Sequence, residues 1–336
     1  MDGGNRRAAG WTRRAILPAL GLAAGACATG PALGQVLPRG LQLPPLPASW
    51  NSVERVPLWP GAVPGTGFQA QPLPAGFPDI LIRNVARPEI RVFPPPAGVP
   101  SNGLSLLLLP GGAYSWVSIL NEGIEVAARF GAMGYTTFVL VYRLPGEGWE
   151  QRADVSLADA RRAVQVIRLD AARRQLRPDG IMAVGFSAGG HLAASLASGY
   201  GNRVFPAVDA LDDSDARPAA VAAIYPVISL SPDLGHHDST ANLLGANPTA
   251  EQIARHSPAL HVTADTPPMF LAHALDDPAV KPENTLVMMR AMTAAQRPVE
   301  VHMFEKGGHA FGAGRANQPN KAWPDLFHAW AQTQLS

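Results

Sequence analysis

From residue 35 to residue 100 apolar residues recur without a fixed period, and prolines are too frequent for a long helix to run through. Beyond residue 100 the texture changes to short apolar runs separated by segments with helical spacing. The runs at 104–109 and 136–141 are apolar almost throughout, as strands buried on both faces of a parallel sheet require. Between them, 122–133 has helical spacing. Residues 153–176 repeat it with Val155, Leu157, Ala160, Val164, Val166 and Ile167, which predicts a long amphipathic helix. Strand patterns return at 181–185, 221–225, 269–274 and 299–304. This alternation predicts an α/β fold, a mostly parallel central sheet with helices on both faces. The stretch 231–265 lacks a clear period and is expected to be a small insertion over the carboxyl edge of the sheet.

Fifteen prolines lie between Gln35 and Pro100, so 35–100 is expected to be an extended arm. Edge strands are predicted at 80–85 and 90–93, where missing proline donors do least harm. Trp50, Trp59, Phe68 and Phe77 are bulky anchors that a free tail would not need, so a disordered linker is plausible only up to about Asn51. The catalytic domain is expected to occupy 101–336.

Composition narrows the function classes. A chain of 336 residues, 47% apolar and 16% charged, can bury one large core. A net charge of +1, with no dense Lys/Arg stripe after the leader, gives no electrostatic case for nucleic acid or an anionic membrane surface. The single cysteine, Cys27, allows neither an intramolecular disulfide nor a cysteine-based zinc site, and neither metal nor cofactor is expected. Residues 1–34 read as an export signal: arginines at 6, 7, 13 and 14, an apolar run at 15–26, then small residues. Thr12-Arg13-Arg14 matches the twin-arginine pattern. Cleavage is expected after Gly34 or after Ala28, with lipidation of Cys27 a weaker option. The mature protein is therefore expected to be periplasmic or secreted, without stable membrane association.

Gly185-Phe186-Ser187-Ala188-Gly189 has the nucleophile-elbow pattern, preceded by an apolar strand and followed by a helix-forming segment at 191–197. That setting puts a serine hydroxyl at the carboxyl edge of the sheet, above a helix amino terminus. It predicts the α/β-hydrolase fold. The base has to come from a downstream loop, and His309, in the glycine-rich stretch after the strand at 299–304, fits better than the other histidines. The acid should lie between serine and histidine in chain order, where Asp276 and Asp277 end the strand at 269–274. Placing His273 and Val280 on the fold's common acid loop, His-Gly-x-x-Asp-x-x-Val, selects Asp277 and leaves Asp276 as a turn residue. Pro110-Gly111-Gly112-Ala113-Tyr114, after an early strand, is where the fold puts its oxyanion loop. Gly112 and Ala188 are the expected backbone donors, with Gly111 close behind. Tyr114 and Trp116 are candidate substrate contacts, though a buried aromatic is an equal reading of each.

Taken with Leu58-Trp59-Pro60-Gly61, Asn242-Leu243-Leu244-Gly245 and Gly307-Gly308-His309, these motifs resemble those of bacterial α/β-hydrolases related to acetyl xylan esterases and feruloyl/acetyl esterases, from about residue 52 onward. The resemblance implies deacylation of ester-decorated plant polysaccharide or its fragments without metal or cofactor, so the expected partner is a small ester or an acetylated oligosaccharide. The chain departs from the pattern at Ala113, where a third glycine is common, and at Lys281, where proline is common. No carboxylate pair has a spacing suited to glycoside cleavage. The runner-up readings are a serine peptidase of the same fold and a catalytically silent carbohydrate-binding relative.

Overall fold

The computed structural model describes residues 43–335; the leader at 1–34 lies outside them. After a short helix α1 (Ala48–Ser52), the arm contributes strands β1 (Glu54–Pro57), β2 (Leu81–Ile82) and β3 (Glu89–Phe93). The remaining elements are β4 (Ser105–Leu109), β5 (Val117–Ser118), a π-helical turn (Leu120–Ile124) leading into α2 (Glu125–Gly131), β6 (Thr136–Val141), α3 (Val155–Asp170), β7 (Ile181–Phe186), α4 (Ala188–Gly199), β8 (Ala220–Ile224), α5 (His237–Leu244), α6 (Ala250–Arg255), β9 (Met269–Ala274), α7 (Glu283–Ala294), β10 (Val299–Phe304) and α8 (Trp323–Gln334).

Eight strands form one sheet in the order β1-β3-β6-β4-β7-β8-β9-β10. From β6 to β10 every pairing is parallel, while β1 and β3 pair antiparallel at one side. The chain starts the parallel sheet at β4, steps to β6 on one side, then crosses to β7 on the other. Such a reversal opens a crevice at the carboxyl ends of the central strands. The arm differs in detail from its expected layout. β3 is not an edge, because β1 covers it in register from Glu54 against Val92 to Pro57 against Glu89. Of 80–85 only Leu81–Ile82 is strand, and it pairs with β5 in a separate two-stranded ribbon rather than in the main sheet.

Burial explains why these runs became central strands. Leu106 to Leu109 and the whole of β7, β8 and β9 are buried, leaving no polar face that would tolerate an exposed position. α4 packs on β7 and β8 and can do so closely because Gly189, Gly190, Ala193, Ala194 and Ala197 give it a thin face. On the other helical layer, Phe130 of α2 meets Trp323 and Phe327 of α8 at centroid distances of 5.6 Å. The arm is docked by its tryptophans: Trp59 donates from Nε1 to buried Asp159 at 3.1 Å and lies 4.8 Å beneath the Arg162 guanidinium, while Trp50 is stacked similarly by Arg91 at 4.7 Å. Arg143 and Asp159 form a fully buried ion pair at 2.8 Å, with Arg143 also donating to main-chain carbonyls, so the charges are compensated.

Candidate active site

The loops that leave the carboxyl ends of β4, β7, β8, β9 and β10 converge at that crevice. Ser187 follows β7 directly with φ 53° and ψ −119°, a strained left-handed geometry that projects the side chain from a tight strand-to-helix turn. The flanking glycines are obligatory: a Cβ on Gly185 would sit 2.1 Å from the Gly189 carbonyl oxygen, and one on Gly189 would sit 2.0 Å from the Leu109 oxygen. His309 Nε2 lies 2.8 Å from Ser187 Oγ, and His309 Nδ1 lies 2.7 Å from Asp277 Oδ2. The other Asp277 oxygen accepts from the Ala279 and Val280 N–H groups at 2.8 and 3.0 Å. Burial would raise the Asp277 carboxyl, but His309 and His273, by charge and hydrogen bond, outweigh it and hold the group well below the usual carboxylate range. His273 reaches Asp277 Oδ2 from its Nε2 at 3.1 Å, while its Nδ1 faces the Thr285 hydroxyl at 2.8 Å.

Asp276, one residue away, does more than shape a turn. Its Oδ1 accepts from the N–H groups of Gly307 and Gly308 at 2.8 and 2.7 Å and so ties down the loop that carries His309. Arg315 adds a bond from Nη2 to the His309 carbonyl at 2.8 Å.

The loop after β4 runs through residues 110–116. Gly112 has φ 127°, and a Cβ there would lie 2.2 Å from the Trp116 carbonyl oxygen, so only glycine fits. Ala113 and Tyr114 follow with φ 51° and 59°, a conformation that costs a non-glycine residue roughly 1–2 kcal/mol. Side chains hold this strained turn in place. Tyr142 Oη donates to the Pro110 carbonyl at 2.7 Å, and Asn242 Nδ2 donates to the Ala113 carbonyl at 2.8 Å and to Ser115 Oγ at 2.9 Å.

Two expectations are corrected here. The Gly111 N–H donates to Glu122 Oε2 at 2.7 Å and is therefore not a spare oxyanion donor; Gly112 and Ala188 remain the candidates. Tyr114 does not contact the crevice at Ser187. It is buried, its hydroxyl 2.8 Å from His191 Nδ1, and His191 Nε2 donates in turn to the His256 carbonyl at 2.7 Å. The reason is the left-handed turn, which aims Tyr114 toward a separate cavity of about 620 Å³ lined also by Ser195, Arg203 and Arg255. That roomier cavity is lined by neither Ser187 nor His309. Burial lowers His191 to about 4, which keeps it neutral.

The cavity at Ser187 holds only about 40 Å³ and is lined by Gly112, Ala113, Trp116, Ser118, Glu122, Ser187, His236, His309 and Ala310. Trp116 lines this cavity. Glu122 carries no signal of its own in the sequence because it falls at the head of an apolar helical pattern, and His236, one of the histidines set aside as the base, lies in the aperiodic 231–265 stretch. Among the described residues no cluster of His, Cys, Asp and Glu is arranged to hold a metal ion.

Comparison with known proteins places the chain. The family described as BD-FAE matches residues 106–292, more than half of the sequence. Over 231 residues the chain is 32% identical to endo-1,4-beta-xylanase B of Butyrivibrio fibrisolvens, covering 69% of this chain and 35% of that protein. Over 217 residues it is 28% identical to an acetylxylan esterase of Xylanibacter ruminicola, covering 63% of this chain and 42% of that one. The chain therefore spans well under half the length of these two curated relatives. Among solved structures, an acetyl ester-xyloside bifunctional hydrolase from Caldicellulosiruptor lactoaceticus aligns with a TM-score of 0.68 at 28% identity, covering 83% of this chain and 96% of that one. The carboxylesterase Cest-2923 of Lactobacillus plantarum, at 22% identity and a TM-score of 0.62 over 80% of this chain and 98% of its own, shares the fold. With its mostly parallel sheet and its match over residues 106–292, the chain has the α/β-hydrolase fold and belongs to the BD-FAE family.

Proposed function

We propose that this protein hydrolyses short-acyl carboxylic esters, acetyl groups on carbohydrate above all, through an acyl-enzyme formed on Ser187. The observation that carries the reading is the hydrogen-bonded chain Ser187, His309, Asp277 at the mouth of a cavity of about 40 Å³. His309 takes the Ser187 proton as Oγ attacks the ester carbonyl. Asp277 accepts from Nδ1, which fixes the tautomer and stabilises the imidazolium. The tetrahedral oxygen is received by the N–H groups of Gly112 and Ala188, the second at the amino terminus of α4, where the helix dipole favours negative charge. His309 then protonates the leaving alcohol, and water repeats the sequence to release the acid.

The small cavity, walled by Trp116, supports a two-carbon acyl group over a fatty chain. The names of the two relatives, an acetylxylan esterase and an acetyl ester-xyloside hydrolase, support acetylated xylo-oligosaccharide as the class of substrate. Export through the 1–34 leader belongs to the same proposal, and no helix among the described residues is long and apolar enough to cross a membrane. The test is a panel of acetylated xylo-oligosaccharides, a feruloyl ester, and nitrophenyl esters of increasing chain length. Acetyl esters should be turned over best; a panel won by long chains would overturn the short-acyl assignment.

A further inference from the structure

Glu122 is a buried acid with no part in the Ser187, His309, Asp277 chain. It sits in the π-helical turn at Leu120–Ile124, where the Ile124 N–H reaches back to the Ile119 carbonyl at 2.8 Å. Such turns insert a residue into a helix and are common at functional sites. Here the turn brings two consecutive polar side chains into contact with three different loops. Asn121 Nδ2 donates to the Ala310 carbonyl at 3.2 Å, next to His309. Glu122 Oε2 accepts from the Gly111 N–H at 2.7 Å, and Glu122 Oε1 accepts from the Tyr225 hydroxyl at 2.9 Å.

Tyr225 carries the connection onward. It follows β8 with φ 39°, a strained setting for a tyrosine. Its hydroxyl also accepts from the Gly312 N–H at 3.1 Å, and its ring packs edge-on against His309 at 4.9 Å and against Phe311 at 4.4 Å. At the other end, Gly111 is nested so tightly that a Cβ would lie 2.6 Å from the Phe186 oxygen, 2.9 Å from Ser187 Cβ and 3.1 Å from Glu122 Oε2. One carboxyl therefore joins the turn that precedes the Gly112 N–H to the tyrosine on which His309 rests. Burial pushes the Glu122 carboxyl up, while the Gly111 bond, the charge of His309 and the Tyr225 bond pull it back.

We propose that Glu122 is a positioning residue for the ester cleavage assigned above, setting the oxyanion turn through Gly111 and the base through Tyr225. This rests on the Ser187 reading. The Gly111 N–H is spent on alignment, and Gly112 is thereby presented to the developing oxyanion. A residue that acts this way changes the transition state more than substrate binding, since misplacement of about 1 Å can cost a hundredfold in rate.

The test uses the full chain on nitrophenyl acetate, with Glu122→Met, Glu122→Gln, Tyr225→Phe and Ser187→Ala compared, and circular dichroism to establish folding. Glu122→Met keeps the side-chain length but removes both acceptors, and its kcat should fall about a hundredfold with KM within a few-fold of wild type. Glu122→Gln, which keeps an acceptor for Gly111, should recover most of that loss. Tyr225→Phe retains the ring over His309 and should lose about tenfold in kcat alone, and it decides the matter should the methionine variant fail to fold. Wild-type kcat in a folded Glu122→Met or Tyr225→Phe, or a loss confined to KM, would overturn the proposal. Activity persisting in Ser187→Ala would instead strike at the nucleophile assignment on which it rests.

Discussion

The adjacent carboxylates Asp276 and Asp277 offer a discriminating perturbation, because the same change of acid to amide should have unequal consequences one residue apart. Asp277→Asn replaces the acceptor of His309 Nδ1, now at 2.7 Å, by a group that can turn its NH2 toward the ring and select the wrong tautomer. The imidazolium also loses its buried counter-charge. In proteases built on this triad logic the change lowers turnover about ten-thousandfold, equivalent to about 5.5 kcal/mol of transition-state stabilisation, and a similar loss is expected here. Asp276→Asn keeps an oxygen acceptor for Gly307 and Gly308. It exchanges two bonds to a charged group, worth about 1.5–3 kcal/mol each, for two neutral ones of about 0.5–1.5. Because Arg315 and Asn121 still hold the neighbouring carbonyls of His309 and Ala310, only part of that difference should reach the barrier, and turnover should stay within about tenfold of wild type. The assay is turnover of both purified variants on nitrophenyl acetate at neutral pH, with circular dichroism alongside. A reversed ranking would move the acid to Asp276; two folded, active variants would remove the triad reasoning altogether.

Other consequences can be measured on the same preparation. Trp116→Ala should enlarge the cavity at Ser187 and shift the ratio of nitrophenyl butyrate to acetate turnover toward butyrate; an unchanged ratio would show that Trp116 does not bound the acyl group. Ala113→Gly should relieve the left-handed strain at φ 51° and raise the thermal midpoint by up to about 2 °C at unchanged activity, whereas a lower midpoint would argue against strain there. His191 is held near 4 by burial, so below pH 6.5 the unfolded chain takes up a proton that the folded protein refuses. Stability should then fall as pH drops from about 6.5 to 4, by no more than about 3 kcal/mol from this group. Denaturant titrations of His191→Asn should show a flatter profile in that window, and an identical slope would refute the linkage.

The strands at 136–141 and 269–274 are legible to the residue because burial on both faces demands nearly unbroken apolar runs, whereas the half-buried edge strand at 299–304 shows in the alternation of Val299, Val301 and Met303 with Glu300 and His302. The elbow is legible because its glycines sit at fixed positions around the serine, Gly185 forced by the Gly189 carbonyl within the motif and Gly189 by the backbone of Leu109 and Pro110 at the end of the neighbouring strand. What escaped depends on contacts between distant segments. Asn242 anchors Ala113 from 129 residues away, and Tyr225 reads in sequence as the last residue of a strand although its φ turns it toward His309. Residues 122–124 of the π-turn read in sequence as the start of an ordinary helix at 122–133, since a π-turn breaks the 3.6-residue period without leaving a signature of its own. Tyr114 shows the same limit: an aromatic beside an oxyanion loop can point to either side, and the left-handed backbone, not composition, sends it to His191.

The central claim is that Ser187 is the nucleophile of an ester hydrolase, and turnover of acetylated xylo-oligosaccharide by wild type and Ser187→Ala tests it most directly. Wild type should release acetate and, quenched during turnover, carry an acetyl group on the peptide containing Ser187. The folded Ser187→Ala variant should carry none and lose activity by about a million-fold. Acetate release by that variant near the wild-type rate would contradict the account.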